Sequence, residues 1–130
     1  MHYRVVFEPF AERHFIKTFA RKYQGAWDRT RKVLELEFSL VDLLFEKSIA
    51  EFIHQSEDGD VRICKTEFKI AGTQAGRHAS GNRCIIAIHK DAAFVRVLLV
   101  YSKSDVRGPR ETDWWQQEIK GAYPDYAQYF

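Results

Sequence analysis

Three short runs between Val61 and Asp105 carry the strongest hydrophobic patterning in the chain. They read VRICKTEFKI, GNRCIIAIHKD and FVRVLLVYSKSD. Each is rich in Val, Ile, Phe or Tyr and bounded by Gly, Asp or Ser, which predicts strands. The first alternates with a period of two. Val61, Ile63, Lys65, Glu67 and Lys69 fall on one side, and Arg62, Cys64, Thr66, Phe68 and Ile70 fall on the other. A row of Lys, Glu and Lys makes the first side a candidate working surface.

Upstream, Tyr3 to Phe7 predicts a further strand. Pro9 suits a helix start, where its missing N–H is not needed. Phe15, Phe19 and Tyr23 recur every four residues, with Glu12, Arg13, Lys17 and Arg21 facing away, which predicts an amphipathic helix. Gly25 ends it. Trp27, Leu34, Phe38, Val41 and Phe45 continue at helical steps and predict a second helix, interrupted near Ser39, so a helical hairpin results. Ile49, Phe52 and Ile53 fit the end of that helix, and Ser56 to Asp60 fit a turn. After the three strands, Val106 to Arg110 predict a loop. Thr112 then caps a last helix that carries Trp114, Trp115 and Ile119 and stops at Gly121 and Pro124. The expected architecture is α+β: an N-terminal strand, a helical hairpin, three meandering strands and a C-terminal helix. The sheet is antiparallel with about four strands, the first strand joining its edge. The hairpin covers one face and leaves the other partly open.

The 130 residues, 45% hydrophobic and 29% charged, fit a single soluble domain spanning residues 1–130. Charge changes the picture more. From Val61 to Arg110 there are ten Lys/Arg against three acids, a local +7, while the remainder carries −5. That division predicts positive potential on the sheet and a polyanionic partner. Cys64 and Cys84 are too few for a disulfide framework or a metal site. Both lie on apolar sides of their strands, which predicts buried free thiols in a reducing compartment. No basic start followed by an apolar run opens the chain, and no segment approaches the ~20 apolar residues of a membrane span. The expectation is a cytoplasmic protein with no membrane partner. No pattern specifies an oligomeric state.

Candidate chemistry gathers on the three runs. Lys65 and Lys69 flank Glu67 on one face. Like charges this close disfavour the ammonium, which makes one lysine a candidate base, although Glu67 opposes that shift. The plainer alternative is a solvated strand. Arg83 shares the parity of Ile85, Ala87 and His89, and its planar fork suits phosphate; a surface ion pair with Glu67 is the alternative. Arg77 and His78 lie in TQAGRHASGN, a connection long for a hairpin, expected to be mobile and to close over a ligand. His78 is the more accessible general acid or base, and His89 sits near a strand end. Tyr101 and Lys103 share the parity of Val95, Val97 and Leu99; Tyr101 either stacks a base or completes the core. Arg107 and Arg110 are candidate phosphate-backbone contacts. Trp114 and Trp115 point about 100° apart on a helix, so one belongs to the core.

The stretches KTEFKIAGT (Lys65 to Thr73), SGNRCIIAI (Ser80 to Ile88), VRVLLVYSKSDV (Val95 to Val106) and ETDWW (Glu111 to Trp115) resemble the RelE/ParE superfamily of bacterial type II toxins. The order of elements is similar as well. The chain departs from that pattern in a longer Trp- and Tyr-bearing closing segment and a longer helical hairpin. The resemblance implies a RelE/ParE-like fold and a metal-independent endoribonuclease that cleaves messenger RNA in the ribosomal decoding site. In that chemistry the 2′-hydroxyl attacks the adjacent phosphorus, and the protein removes a proton, stabilises charge on phosphate and protonates the leaving oxygen. Carried onto this chain, the catalytic set is Lys65, Lys69, Arg83, Lys103 and His78. RNA contacts fall to Arg77, Tyr101, Arg107, Arg110 and Glu67. The implied partners are a cognate antitoxin, messenger RNA and the ribosome, with no cofactor and no metal. Two alternatives share the fold: a gyrase-poisoning toxin without nuclease chemistry, like ParE members, and a non-catalytic module that only grips nucleic acid.

Overall fold

Five strands hydrogen-bond into one sheet, one more than the alternation of the sequence marks. The computed structural model describes residues 2–130. The strands are β1 (Arg4–Phe7), β2 (Ala50–Gln55), β3 (Val61–Phe68), β4 (Asn82–His89) and β5 (Phe94–Ser102), in the order β1-β5-β4-β3-β2. The pairs β2–β3, β3–β4 and β4–β5 are antiparallel, and β1 lies at the edge parallel to β5.

Strand β2 corrects the expected four-stranded sheet. Ile49 lies just before it, and Phe52 and Ile53, expected at a helix end, lie within it. The register shifts between Phe52 and His54, and this bulge breaks the alternation that would have marked the strand. Ser48 adopts a left-handed conformation (φ 57°) and separates the strand from the helix before it.

A continuous helical stretch follows β1. It comprises α1 (Pro9–Ala11), a π-helical turn (Glu12–Ile16) and α2 (Lys17–Lys22). Gly25, at φ 76°, supplies the break that other residues would make only with strain. Helices α3 (Ala26–Ser39) and α4 (Val41–Glu46) meet at Leu40, whose backbone leaves the helical region, one residue from the expected interruption. Ile16, Phe19, Trp27, Leu34, Phe38, Val41 and Leu44 form one core with Cys64, Phe68, Cys84, Ile86 and Ile88. The helical layer therefore covers one face of the sheet, as expected.

The opposite face is not left open along its length. Helices α5 (Glu111–Ala122) and α6 (Pro124–Ala127) lie on it. Trp115, Ile119, Tyr123 and Tyr126 pack against Ile63, Ile85, Ala87, Leu98, Leu99 and Tyr101. The physical reason is area. Most of that face is aliphatic, and leaving it wet would forgo roughly 25 cal/mol for each Å² of apolar surface. The helix begins at Glu111, with Arg110 at the cap position and no side-chain cap, so Thr112 does not start it. Tyr123 Oη donates to the Leu98 carbonyl at 2.7 Å, where the β4–β5 ladder shifts register. Among the described residues no helix is long and apolar enough to cross a membrane.

Both cysteines are free and buried on the helix-covered face. Burial pushes the Cys64 thiol up to about 12 and the Cys84 thiol higher still. A thiol reagent at neutral pH is expected to modify neither cysteine in the native protein and both in denaturant; rapid native labelling would contradict this packing. Trp115 is 1% exposed. Trp115→Ala should cost about 3–5 kcal/mol, read as a lower urea midpoint.

Candidate functional site

At one end of the sheet the aliphatic rows give way to a polar row. Cross-strand register places Glu67 of β3 beside Arg83 of β4, and Arg83 beside Tyr101 of β5. Lys65 lies two residues along β3 on the same face, as the alternation requires. The first residue of α5, Glu111, comes down over this row. Its Oε2 accepts from Tyr101 Oη at 2.7 Å and lies 2.9 Å from Lys65 Nζ.

Arg83 sits beneath these groups with 1% exposure. Its Nη1 donates to the Asn82 carbonyl at 3.1 Å and its Nη2 to the His78 carbonyl at 3.4 Å. Nε faces two carboxylates, Glu111 at 3.8 Å and Glu67 at 4.0 Å, and has no hydrogen-bond partner. In place of the alternative of a surface ion pair with Glu67, Arg83 is a buried charge between two acids.

Electrostatics follow from this crowding. Burial raises the Glu111 carboxyl, but hydrogen bonds from Tyr101 and Lys65, with the charges of Lys65 and Arg83, outweigh it and hold the group below its ordinary value. Burial, then the bond to Glu111, pushes the Tyr101 hydroxyl far upward, so it stays a proton donor at all working pH. Tyr101 is 0% exposed and packs on Trp114, so it completes the core and does not stack a base.

His78 reaches the same end from the β3–β4 connection. Its Nδ1 lies 3.0 Å from both Glu67 oxygens, and its side chain is 82% exposed, so Nε2 is open to a ligand. The connection is not the free loop expected from its length. Ser80 Oγ bonds the Phe68 and Arg77 carbonyls, and Arg77 donates to the Glu67 carbonyl at 3.0 Å and to Glu37 at 2.5 Å. Arg77 therefore positions the loop. An open depression of about 570 Å³ borders Glu67, Arg77 and His78 and continues along Ser48, Ala50 and Glu51.

The structure brings together Lys65, Glu67, Arg83, Tyr101 and His78, with Arg77 behind them. It does not bring in Lys69, Lys103, Arg107 or Arg110. Strand β3 ends at Phe68, so Lys69 escapes the alternation and instead borders a groove of about 160 Å³ with Thr30, Val33 and Leu34 of α3. Strand β5 ends at Ser102, and Lys103 opens a 3₁₀ turn and leans over Gly81. Arg107 borders a separate depression with Phe10, His14 and Trp114, and Arg110 pairs with Asp113 at 3.0 Å on the exposed start of α5.

Glu111 is the residue that sequence reasoning missed. An acid in the first turn of a helix is ordinary, and no spacing ties it to Lys65, 46 positions earlier. Part of the local +7 is offset in three dimensions. Lys65 and Arg83 meet Glu111, Arg77 meets Glu37, and Arg96 meets Glu8, with all three acids drawn from outside the basic stretch. Three outside acids against a local +7 weaken the charge argument for a polyanion-binding sheet, while Arg62, Lys69, Lys90, Lys103 and Arg107 form no ion pair among the described residues. Among the described residues no three His, Cys, Asp or Glu side chains converge as a metal site requires.

Fold and site together define a small α+β protein with one sheet between two helical layers and a mixed acid–base cluster at a sheet end. The chain matches no family model, no curated protein and no solved structure.

The lowered Glu111 carboxyl sets a pH dependence. A carboxyl depressed in the fold stabilises it above its unfolded value, and that contribution is lost as pH falls through the folded one. Urea stability of the native protein should therefore drop from about pH 5 downward, and Glu111→Gln should flatten that drop. At neutral pH the same variant should be less stable by about 1–3 kcal/mol, because Lys65 and Tyr101 lose a charged acceptor. A parallel pH profile for both proteins would show that Glu111 is not the titrating group.

Proposed function

We propose that this protein is a RelE-type ribonuclease toxin that cleaves messenger RNA by 2′-hydroxyl attack at the sheet end holding His78, Glu67, Lys65 and Arg83. One observation carries the proposal: an exposed imidazole held at 3.0 Å by a carboxylate that also faces the Arg83 guanidinium. A carboxylate on Nδ1 fixes the orientation of the ring and leaves Nε2 facing solvent, which is the geometry a proton-transferring histidine needs. His78 Nε2 takes the 2′ proton as the O2′–P bond forms. The P–O5′ bond breaks, and the ammonium of Lys65 delivers a proton to O5′. Arg83 and Lys65 offset the charge that builds on the phosphate oxygens. The products are a 2′,3′-cyclic phosphate and a 5′-hydroxyl.

Pairing of Lys65, Arg77, Arg83 and Arg96 with acids favours chemistry at this small site over broad gripping of a polyanion. The proposal includes the ribosome as the place where message is presented and a cognate antitoxin as the neutralising partner.

Expression in a bacterial host should arrest translation, and primer extension should reveal new 5′ ends within messages. Because His78 is 82% exposed, His78→Ala should keep its thermal midpoint while cleavage falls about 10²–10⁴-fold. Undiminished cleavage by that variant would remove the histidine from the mechanism. Growth arrest with DNA damage and intact messages would point to the gyrase-poisoning alternative.

A further inference from the structure

Three donors from three adjacent strands converge on one oxygen of Glu111. Lys65 Nζ is at 2.9 Å, Tyr101 Oη at 2.7 Å and Arg83 Nε at 3.8 Å. An ammonium, a hydroxyl that does not ionise and a guanidinium around one anionic atom make up the groups that bind phosphate. The carboxylate does not fit the cradle completely. Arg83 Nε belongs to a side chain that is 2% exposed, points at the cluster, and finds neither carboxylate within hydrogen-bond distance. An unpaired buried donor costs about 1–3 kcal/mol, and more on a charged group. A tetrahedral phosphate offers a further oxygen to that nitrogen, while two others meet Lys65 and Tyr101.

Exchange of one anion for the other needs little motion. Glu111 is the first residue of α5, and Arg110 before it provides no side-chain cap. The helix is anchored further along, through Trp115 and Ile119, which are 1% and 0% exposed. The Glu111 side chain can therefore swing out, or the first turn fray, without lifting the helix from the sheet. The carboxylate is 21% exposed, so solvent already reaches it.

We propose that Lys65, Arg83 and Tyr101 form a binding site for one phosphodiester group, and that Glu111 fills it as a built-in competitor that nucleic acid must displace. RNA as the source of the phosphate rests on the ribonuclease proposal; the competition itself does not. The described structure is then the closed state of the site. Free inorganic phosphate loses to a tethered carboxylate, whose effective concentration is in the millimolar range or above. An RNA strand wins by its additional contacts.

The test uses Glu111→Gln, which keeps the side-chain size and removes the charge. Two probes are read: a fluorescent 2′-O-methyl RNA oligonucleotide, which lacks the attacking hydroxyl, and inorganic phosphate in a thermal shift assay. Removing a like charge at about 4 Å should tighten oligonucleotide binding at least about fivefold, the figure for the dielectric of bulk water. Phosphate should raise the thermal midpoint of the variant and leave the wild type unmoved, and adding Lys65→Met should abolish both gains. If Glu111→Gln does not fold, Glu111→Asp serves, since one methylene less prevents contact with Lys65 and Tyr101 together. Oligonucleotide binding that is unchanged or weaker in the folded variant overturns the proposal. Tighter binding with no RNA cleavage by any variant leaves the competitor site standing and removes the nuclease. Cleavage with unchanged binding does the reverse.

Discussion

The guanidinium of Arg83 is almost wholly withdrawn from water at one end of the sheet, and a charge in that position persists only where opposite charges and carbonyl groups surround it. Those groups come from every element near it. Glu67 is supplied by β3, Glu111 by α5, and carbonyls by Asn82 and by His78 in the connecting loop. One buried cation thus ties a neighbouring strand, a loop and the C-terminal helix to the same point. The position of the exposed histidine is a consequence, because the carbonyl that Arg83 binds is that histidine's own.

The helical layers explain why chemistry concentrates at this end. Over most of their length β4 and β5 carry aliphatic side chains on both faces, and both faces are covered. Polar side chains are tolerated only where the aliphatic rows stop and solvent can reach. Glu67, Arg83 and Tyr101 form the row beyond Lys65, Ile85 and Leu99. That row has water at one side and hydrophobic packing at the other. A low-dielectric floor strengthens each charge interaction in the cluster, and an exposed rim lets a ligand arrive.

Charge shows how linear and spatial order differ. The basic middle of the chain and its acidic flanks are separated in sequence and interleaved in space. Long-range steering depends on the net potential, so the paired cations of this protein contribute little to it. Their influence is short-ranged. Arg77 fixes the loop, Arg96 holds Glu8 and Tyr126 near the opposite edge, and Lys65 and Arg83 act on whatever anion lies against them. At that last position the protein's own Glu111 is the anion in place.

The local features of the chain were legible in its sequence. Alternation along Val61–Phe68 placed Lys65 and Glu67 on one face, Gly25 marked the helix break, and the apolar sides of their strands marked Cys64 and Cys84 as buried. Each depends on residues within one element, where backbone geometry fixes which side chains are neighbours. Strand β2 was not legible, because its bulge erases the period of two and its pairing is decided by β3. Lys69 and Lys103 were misplaced because alternation says nothing about where a strand stops. The covered second face and the arrival of Glu111 over Lys65, Arg83 and Tyr101 were decided by tertiary packing alone. Contacts across 46 positions are chosen by the burial of Trp115 and Ile119 against the sheet, and no local pattern encodes which polar groups that burial brings together.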